Sequence, residues 1–357
     1  MFGLENIPKR FVLCGLMFSG LVTNYMLRVN MNIAIVELVS KGNADEQLCG
    51  KNNTRINETS VDDEIREPIV DWTTFQVGWV LSAFFFGYVA FQLPGGRLAE
   101  IYGTKYIFGW TMAACAILAF LTPPLLTTSV GFELVVVIRL LQGLCEAVAF
   151  PALNPMISKW VPEAEKYSFV SFVYSGGTFG TIFTYPLCGY ILDTVGWEAV
   201  FYVTGGITMV WFILWMILVT DLPENHPSIK QRELDFVLKT RNYKLLENTS
   251  EKEVPILQLI KDLLLSPPTV VLMCCEFANS WGLYTLVTLG PTFFKEVLNF
   301  DISQNGYLSA LPYIGRFTGA QVFGSISGFI VAREYLRPLT MQKICVCLEF
   351  LIPAAGL

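Results

Sequence analysis

The sequence predicts an all-α, polytopic membrane protein, and three observations support this fold class. Hydrophobic residues make up 53% of the 357 positions and charged residues only 15%, whereas soluble domains carry about 25% charged residues. Lysine and arginine are concentrated on alternate connections, which is the pattern that orients membrane helices. Nine apolar runs have about the length needed to cross a hydrocarbon core or, in the last case, to begin crossing it. These runs cover residues 11–38, 75–93, 106–121, 130–152, 169–192, 199–219, 270–293, 306–331 and 344–357.

The distribution of basic residues predicts that the N-terminus is cytosolic. With this orientation the inner connections hold most lysines and arginines, including seven between Lys230 and Lys261. The long polar loop 39–74 then lies on the outer side. It carries two N-glycosylation sequons, at Asn52 and Asn57, and such sites are used outside the cytosol.

A charged stretch divides the chain into two unequal groups of spans. We expect an N-terminal half of six helices over 1–220, a cytosolic linker over 221–266 and three further spans over 267–357. A short surface helix is expected in the linker, at 231–238. This layout resembles the major facilitator fold, in which two six-helix halves surround a central site. On that expectation the second half is truncated, as a fragment or as a shortened product.

The tight inner connection after the second run contains the segment GRLAEIYGTK. It resembles the major facilitator signature G-x-L-A-(D/E)-x-x-G-x-(K/R), matched here by Gly96, Glu100, Gly103 and Lys105. Glycine permits a short turn and a close approach of helices. The resemblance implies that these four residues form a conformational latch on the cytosolic side.

The fourth run carries a polar stripe on an otherwise apolar helix, formed by Arg139, Gln142, Gly143 and Glu146. These positions recur on nearly one face, and Arg139 and Glu146 are about 10 Å apart along the axis. A stripe of this kind avoids lipid and usually faces a water-filled path. We expect Glu146 to be the coupling carboxylate that gains and loses a proton, with Arg139 as its partner and a substrate ligand. The alternative is a purely structural ion pair.

A second arginine lies within the first run, at Arg28. A guanidinium can hold a carboxylate or phosphate with two parallel hydrogen bonds, which lysine cannot do. Tyr25 lies one turn away on the same face and can add a hydroxyl. Both are therefore candidate substrate-binding residues in a solvated cavity. Alternatively, Arg28 is a structural partner of an inward carboxylate and Tyr25 a packing residue.

Linked segments of the chain resemble the anion:cation symporter family, which includes sialin, the vesicular glutamate transporters and the sodium–phosphate cotransporters. The resemblance rests on NYMLRVNMNIAIVEL from Asn24, RLLQGLCEAVAFPALNPMISKW from Arg139, GWEAVFYVTGG from Gly196 and SWGLYTLVTLGPTFFKEVLNF from Ser280. It is most similar to sialin-like and insect phosphate-cotransporter-like members. It implies an alternating-access carrier of organic anions or phosphate, with Arg28, Arg139 and Glu146 at substrate and coupling positions.

Residues of the second half extend this prediction. Asn279 occupies the place of an arginine found in the vesicular glutamate transporters, and Asn279, Trp281 and Tyr284 are expected to complete the site. Arg316 in the eighth run is unusual for the family. It either lines the cavity as a third cation or pairs with a carboxylate such as Glu276.

The sequence lacks the motifs of several other function classes. There is no G-x-x-x-x-G-K-(S/T) segment for ATP-driven pumping, no metal-ligand spacing and no nucleophile–base pair, so no enzyme or bound cofactor is expected. The coupling ion is H⁺ or Na⁺: Glu146 suits protons, while the polar side chains of Asn24, Asn30 and Asn32 can help to ligate sodium. The only histidine, His226, lies in the linker, which excludes an intramembrane histidine relay.

The predicted function is secondary active transport of a small anion of the phosphate, sialic acid or acidic amino acid type. The expected partners are this substrate and the bilayer of the plasma membrane or of a lysosomal or vesicular membrane. We expect a monomer that binds no nucleic acid. An anion channel and a non-transporting truncated fragment are the alternatives.

Overall fold

The computed structural model of the chain describes residues 8–39, 70–240, 261–262, 264–298, 302–333, 335–336, 340–341 and 343–348. Helices dominate this part of the chain. The ten principal α-helices, in order, are α1 Lys9–Leu38, α2 Thr74–Tyr102, α3 Thr104–Leu126, α4 Gly131–Glu146, α5 Ala149–Trp160, α6 Glu163–Thr194, α7 Trp197–Leu218, α8 Gln231–Thr240, α9 Pro267–Glu296 and α10 Ile302–Ala332.

Six helical segments of the described chain are long and apolar enough to cross a membrane: α1, α2, α3, the combined α4–α5, α7 and most of α9. Helices α6 and α10 have 32 and 31 residues and are also long enough, but both are richer in glycine, serine and threonine. The first eight apolar runs therefore correspond to these helices. The ninth is described only over 344–348, where it is helical.

Helix α1 lies at the centre of the bundle. It packs against α6 and α7 of its own half and against α9 of the second half, while α10 packs on α6. On the N-terminal side of α1 the core contains Met17, Leu21 and a group of aromatic rings that includes Phe108, Trp211 and Trp215. The ring of Phe108 lies 5.3 Å from each of the two tryptophans, so α1, α3 and α7 share one packed interior.

The fourth span is broken immediately after Glu146. Helix α4 ends there and α5 begins at Ala149, so that Ala147 and Val148 form a turn. Pro151 explains the break, because a proline cannot donate to the carbonyl four residues earlier and its ring clashes with that carbonyl, here that of Ala147. Glu146 is thus placed at the C-terminal end of a helix and beside a joint.

Carboxylates of the linker cap two spans. The backbone N–H groups of Lys9 and Arg10, at the start of α1, donate to the two carboxylate oxygens of Glu233 at 2.9 and 3.0 Å. The N–H of Lys105 donates to Oδ1 of Asp221 at 2.8 Å. Glu233 belongs to α8, which is the helix predicted over 231–238. The linker is therefore bound to the bundle through unsatisfied helix N-termini.

Candidate functional site

A buried ion pair joins α1 to α4 in the N-terminal half. Nε of Arg28 donates to Oε2 of Glu146 at 3.2 Å, and both side chains have 2% or less of their surface exposed. Two further polar atoms of the pair, Nη2 of Arg28 and Oε1 of Glu146, have no hydrogen-bond partner among the described residues. The hydrogen bonding of the pair is therefore incomplete in this conformation, and each buried polar atom without a partner costs free energy.

Aromatic rings enclose the guanidinium of Arg28. Its Cζ lies 4.6 Å from the ring centroid of Tyr25, 5.0 Å from that of Phe84 and 4.7 Å from that of Tyr88. Nη1 also donates to the hydroxyl of Tyr284, on α9, at 3.5 Å. Cation–π contacts with desolvated rings favour the charged form by about 2 kcal/mol each. The rings of Tyr25, Phe84 and Tyr88 thus form an aromatic collar that helps to stabilise a cation in an apolar layer. The bond to Tyr284 links this cation to the second half.

Arg139 is not the partner of Glu146, which corrects the pairing inferred from the sequence. Its Nη1 donates to Oε1 of Gln142 at 3.2 Å, and its Cζ lies 4.9 Å from the ring centroid of Phe84. The reason is reach: Gln142 is one turn along α4 and Glu146 is two, whereas Arg28 approaches Glu146 from the facing helix. Helical spacing identified the stripe but not its partner.

The expectation of solvated arginines is also wrong for this conformation. Arg28 and Arg139 are 1% and 2% exposed, because the collar and the neighbouring helices cover them. A cavity of about 230 Å³ lies beside the pair instead, with Tyr25 in its wall. Its other lining residues come from α5, α6, α9 and α10: Phe150, Tyr174, Gly177, Thr178, Thr181, Leu283, Val287, Tyr313 and Arg316. The cavity therefore lies between the two halves.

The candidate residues of the second half separate into two groups. Tyr284 contacts Arg28, and Arg316 lines the cavity. Trp281 is 68% exposed and packs on Phe277. Asn279 is five residues before Tyr284, about 140° around the helix, and is not among the residues that line the cavity. Its role in binding stays a prediction.

Polar contacts between the halves gather at one end of the bundle. Asn32 and Tyr185 both donate to the carbonyl of Val287, at 3.2 and 2.8 Å. Nζ of Lys295 lies 3.4 Å from Oε2 of Glu37. These contacts join the halves toward the C-terminal end of α1, and the bond from Arg28 to Tyr284 joins them nearer its middle.

The residues predicted to form the latch lie in a compact connection between α2 and α3; their role stays a prediction. Gly103 has a φ of 93°, and a Cβ at this position would lie 2.5 Å from Oδ2 of Asp221, so glycine is required for both reasons. A Cβ on Gly96 would lie 2.9 Å from Cβ of Pro151. Glu100 forms an exposed ion pair with Arg97 at 2.7 Å.

The structure also shows contributors that the sequence analysis missed. Phe84 and Tyr88 supply two of the three rings of the aromatic collar. Aromatic residues one turn apart are common in apolar helices, so the sequence alone does not indicate this role. The sequence alone indicates only that Asp221 belongs to the linker. The sequons at Asn52 and Asn57 lie outside the described residues.

Comparison with known proteins identifies the family. The profile of the Major Facilitator Superfamily matches residues 12–355. The chain belongs to the major facilitator superfamily. Sialin of Ovis aries is 34% identical to this member over 354 residues, which cover 97% of the chain and 68% of sialin. A Drosophila melanogaster protein named as an inorganic phosphate cotransporter is 31% identical over 96% of the chain and 65% of its own length.

A solved structure agrees with the superfamily fold. The inward-open conformation of the xylose transporter XylE from E. coli aligns with a TM-score of 0.55 at 14% identity, over 91% of the chain and 70% of the transporter. At this identity the likeness establishes the fold alone. The sequence relatives place this superfamily member among sialin-like anion:cation symporters, and it is therefore a membrane transporter for small molecules and not an enzyme.

Proposed function

We propose that the chain is a secondary active transporter of a small organic or inorganic anion, with cargo of the phosphate, sialic acid or acidic amino acid type. The observation that supports it is the buried Arg28–Glu146 pair beside a cavity between the two halves. The names of the sialin and phosphate-cotransporter relatives support an anionic cargo. We further propose that protons drive the cycle.

The ion pair provides a physical basis for coupling. While Glu146 is ionised, it occupies Nε of Arg28 and neutralises the guanidinium. When a proton binds Glu146, the carboxyl group is neutral and the buried guanidinium has lost its counterion, which is unfavourable at low dielectric. An anion that enters from the cavity restores the balance of charge. Proton and anion are therefore taken up together.

The polar residues of α1 favour protons over sodium. Asn24 donates to Sδ of Met112 on α3, at 3.6 Å, and Asn30 donates to Oγ1 of Thr204 on α7, at 3.0 Å. Asn32 bonds to α9, as described above. These bonds use the amide nitrogens. The oxygens of Asn24 and Asn30 have no hydrogen-bond partner among the described residues, but the two positions are separated by about 9 Å along the helix axis, whereas a cation of this kind needs several oxygens around it.

The polar contacts at the C-terminal end of α1 support an inward-facing conformation. If the N-terminus is cytosolic, the C-terminal end of α1 is at the outer surface, so the contacts of Val287 and of Lys295 close the outer side. Alternating access then requires these contacts to break as the cytosolic connection around Gly103 tightens. This orientation would also place Asn52 and Asn57 where they can be glycosylated, in the plasma membrane or in a lysosomal or vesicular membrane.

Reconstitution of the full-length chain tests the proposal. Proteoliposomes are assayed for uptake of labelled phosphate, N-acetylneuraminate and glutamate under an imposed pH gradient, a sodium gradient or neither. We expect saturable uptake of at least one anion, driven by the pH gradient. Uptake driven by sodium alone contradicts proton coupling, and unsaturable anion current supports the channel alternative. No movement of any anion overturns the transporter proposal.

A further inference from the structure

The cavity between the halves has a single charged residue in its lining. Of the residues that line it, Arg316 on α10 alone carries a charge. Arg316 is an exposed residue, and no carboxylate of the described residues forms an ion pair with it. Glu276, the partner considered from the sequence, is exposed on α9 and is not part of the lining. Arg316 is therefore a cation without a counterion at a cavity wall.

Neither Arg28 nor Arg139 presents an unpaired charge to this cavity in the present conformation. Arg28 is paired with Glu146 and screened from the cavity by the ring of Tyr25, and Arg139 is buried against Phe84. An anion that enters the cavity therefore meets Arg316 first. A guanidinium that is not already neutralised can bind a carboxylate through two parallel hydrogen bonds.

The remaining walls are mostly aromatic and apolar. The rings of Phe150 and Tyr174 stack at 5.5 Å with only 6° between their planes, and Tyr313 stacks on Tyr185 at 5.8 Å. Tyr313 is buried, with 2% of its surface exposed. Flat rings contact the faces of a carbon skeleton well, whereas inorganic phosphate has no such surface.

We propose that Arg316 is the residue that binds the carboxylate of the cargo in this conformation, and that the aromatic walls select an organic monocarboxylate with a flat apolar face over inorganic phosphate. This inference rests on the proposed function and assigns its cargo class. A single cation matches one negative charge, and the Tyr313 hydroxyl supplies a neutral hydrogen bond to the same anion.

Ligand binding to purified full-length protein provides the test. The probes are benzoate, N-acetylneuraminate and inorganic phosphate, and the variants are Arg316→Gln, Arg316→Lys and the control Arg232→Gln, which removes an exposed arginine from α8. We expect wild type to bind benzoate more tightly than phosphate. Arg316→Gln should weaken carboxylate binding about tenfold or more, Arg316→Lys should weaken it less, and the control should leave it unchanged.

Each outcome separates this inference from the proposed function. If wild type transports anions but Arg316→Gln binds benzoate as wild type does, the role of Arg316 is overturned and the transporter proposal stands. If phosphate binds more tightly than benzoate, the cargo class is overturned. If wild type neither binds nor transports any probe, the proposed function fails. Thermal unfolding of every variant is measured alongside, and we expect Arg316→Gln to melt as wild type does because Arg316 has no ion-pair partner to strand.

Discussion

Arg28 and Glu146 are 118 residues apart in sequence, yet Nε of one lies 3.2 Å from Oε2 of the other in a layer with almost no solvent. Each charge lowers the free-energy cost of burying the other. Removing one member of a buried pair leaves an uncompensated charge, whereas removing both leaves none. This asymmetry allows the structural role of the pair to be separated from its role in transport.

Arg28→Gln should lower the free energy of unfolding by about 3–5 kcal/mol, because Glu146 is left buried and unpaired. The double variant Arg28→Gln/Glu146→Gln should recover most of that loss. Uptake should be absent from both variants, since neither retains the Arg28 guanidinium whose charge the incoming anion balances when Glu146 is protonated. Thermal unfolding and uptake by the reconstituted protein measure the two effects. A double variant that regains both stability and transport would show that the pair is structural only.

Glu146→Gln should abolish accumulation driven by a pH gradient, because glutamine cannot exchange a proton with the cavity. Exchange of labelled for unlabelled anion across the membrane should persist, since the neutral side chain resembles the protonated carboxyl group and leaves Arg28 available to the anion. Glu133→Gln, which changes an exposed acid at the other end of α4, should retain both activities. Normal accumulation by Glu146→Gln would contradict the assignment of Glu146 as the coupling residue.

Pro151→Ala should join α4 and α5 into one helix, because alanine restores the N–H that can donate to the carbonyl of Ala147. We expect a higher melting temperature and a turnover reduced roughly severalfold, as the joint beside Glu146 is lost. Pro155→Ala, within α5, is the matched control and should not slow transport. Unfolding scans and initial uptake rates decide the matter; equal rates for both variants would rule out a functional joint.

Asp221→Ala should destabilise the protein by about 1 kcal/mol, the usual cost of losing a helix cap, because the N–H of Lys105 loses its acceptor. Asp221→Asn retains a side-chain oxygen and should lose less. Gly103→Ala should be the most harmful of the three, since a Cβ there would approach Oδ2 of Asp221 and the φ of 93° disfavours alanine. Melting temperatures give the order; a neutral Gly103→Ala would contradict the geometry.

Sequence reasoning was most reliable where hydrophobic length decided the outcome. The first eight apolar runs are helices in the structure, and the linker helix is found at α8. The location of Arg28, Arg139 and Glu146 away from lipid also follows from the sequence, because charges within long apolar runs avoid lipid, whereas their exclusion from solvent does not. The family resemblance added the superfamily and indicated Arg28, Arg139 and Glu146 as candidate site residues.

The identity of contact partners could not be obtained in the same way. Periodicity relates residues on one helix, so it paired Glu146 with Arg139, whereas the actual partner lies on α1. The collar of Phe84 and Tyr88 is equally invisible, since rings at helical spacing occur in every apolar span. The sequence alone allows two roles for Arg316, and only the three-dimensional arrangement separates it from Glu276.

The approach of α2 to α4 has a mechanical consequence. A Cβ on Gly87 would collide with the carbonyl of Leu140, and one on Gly143 with the carbonyl of Phe84, so the two backbones touch without side chains between them. Such surfaces have no compressible layer along which one helix can slide past the other. We therefore expect helices α2 and α4 to move as one body, so that any displacement of Glu146 occurs at its contact with α1.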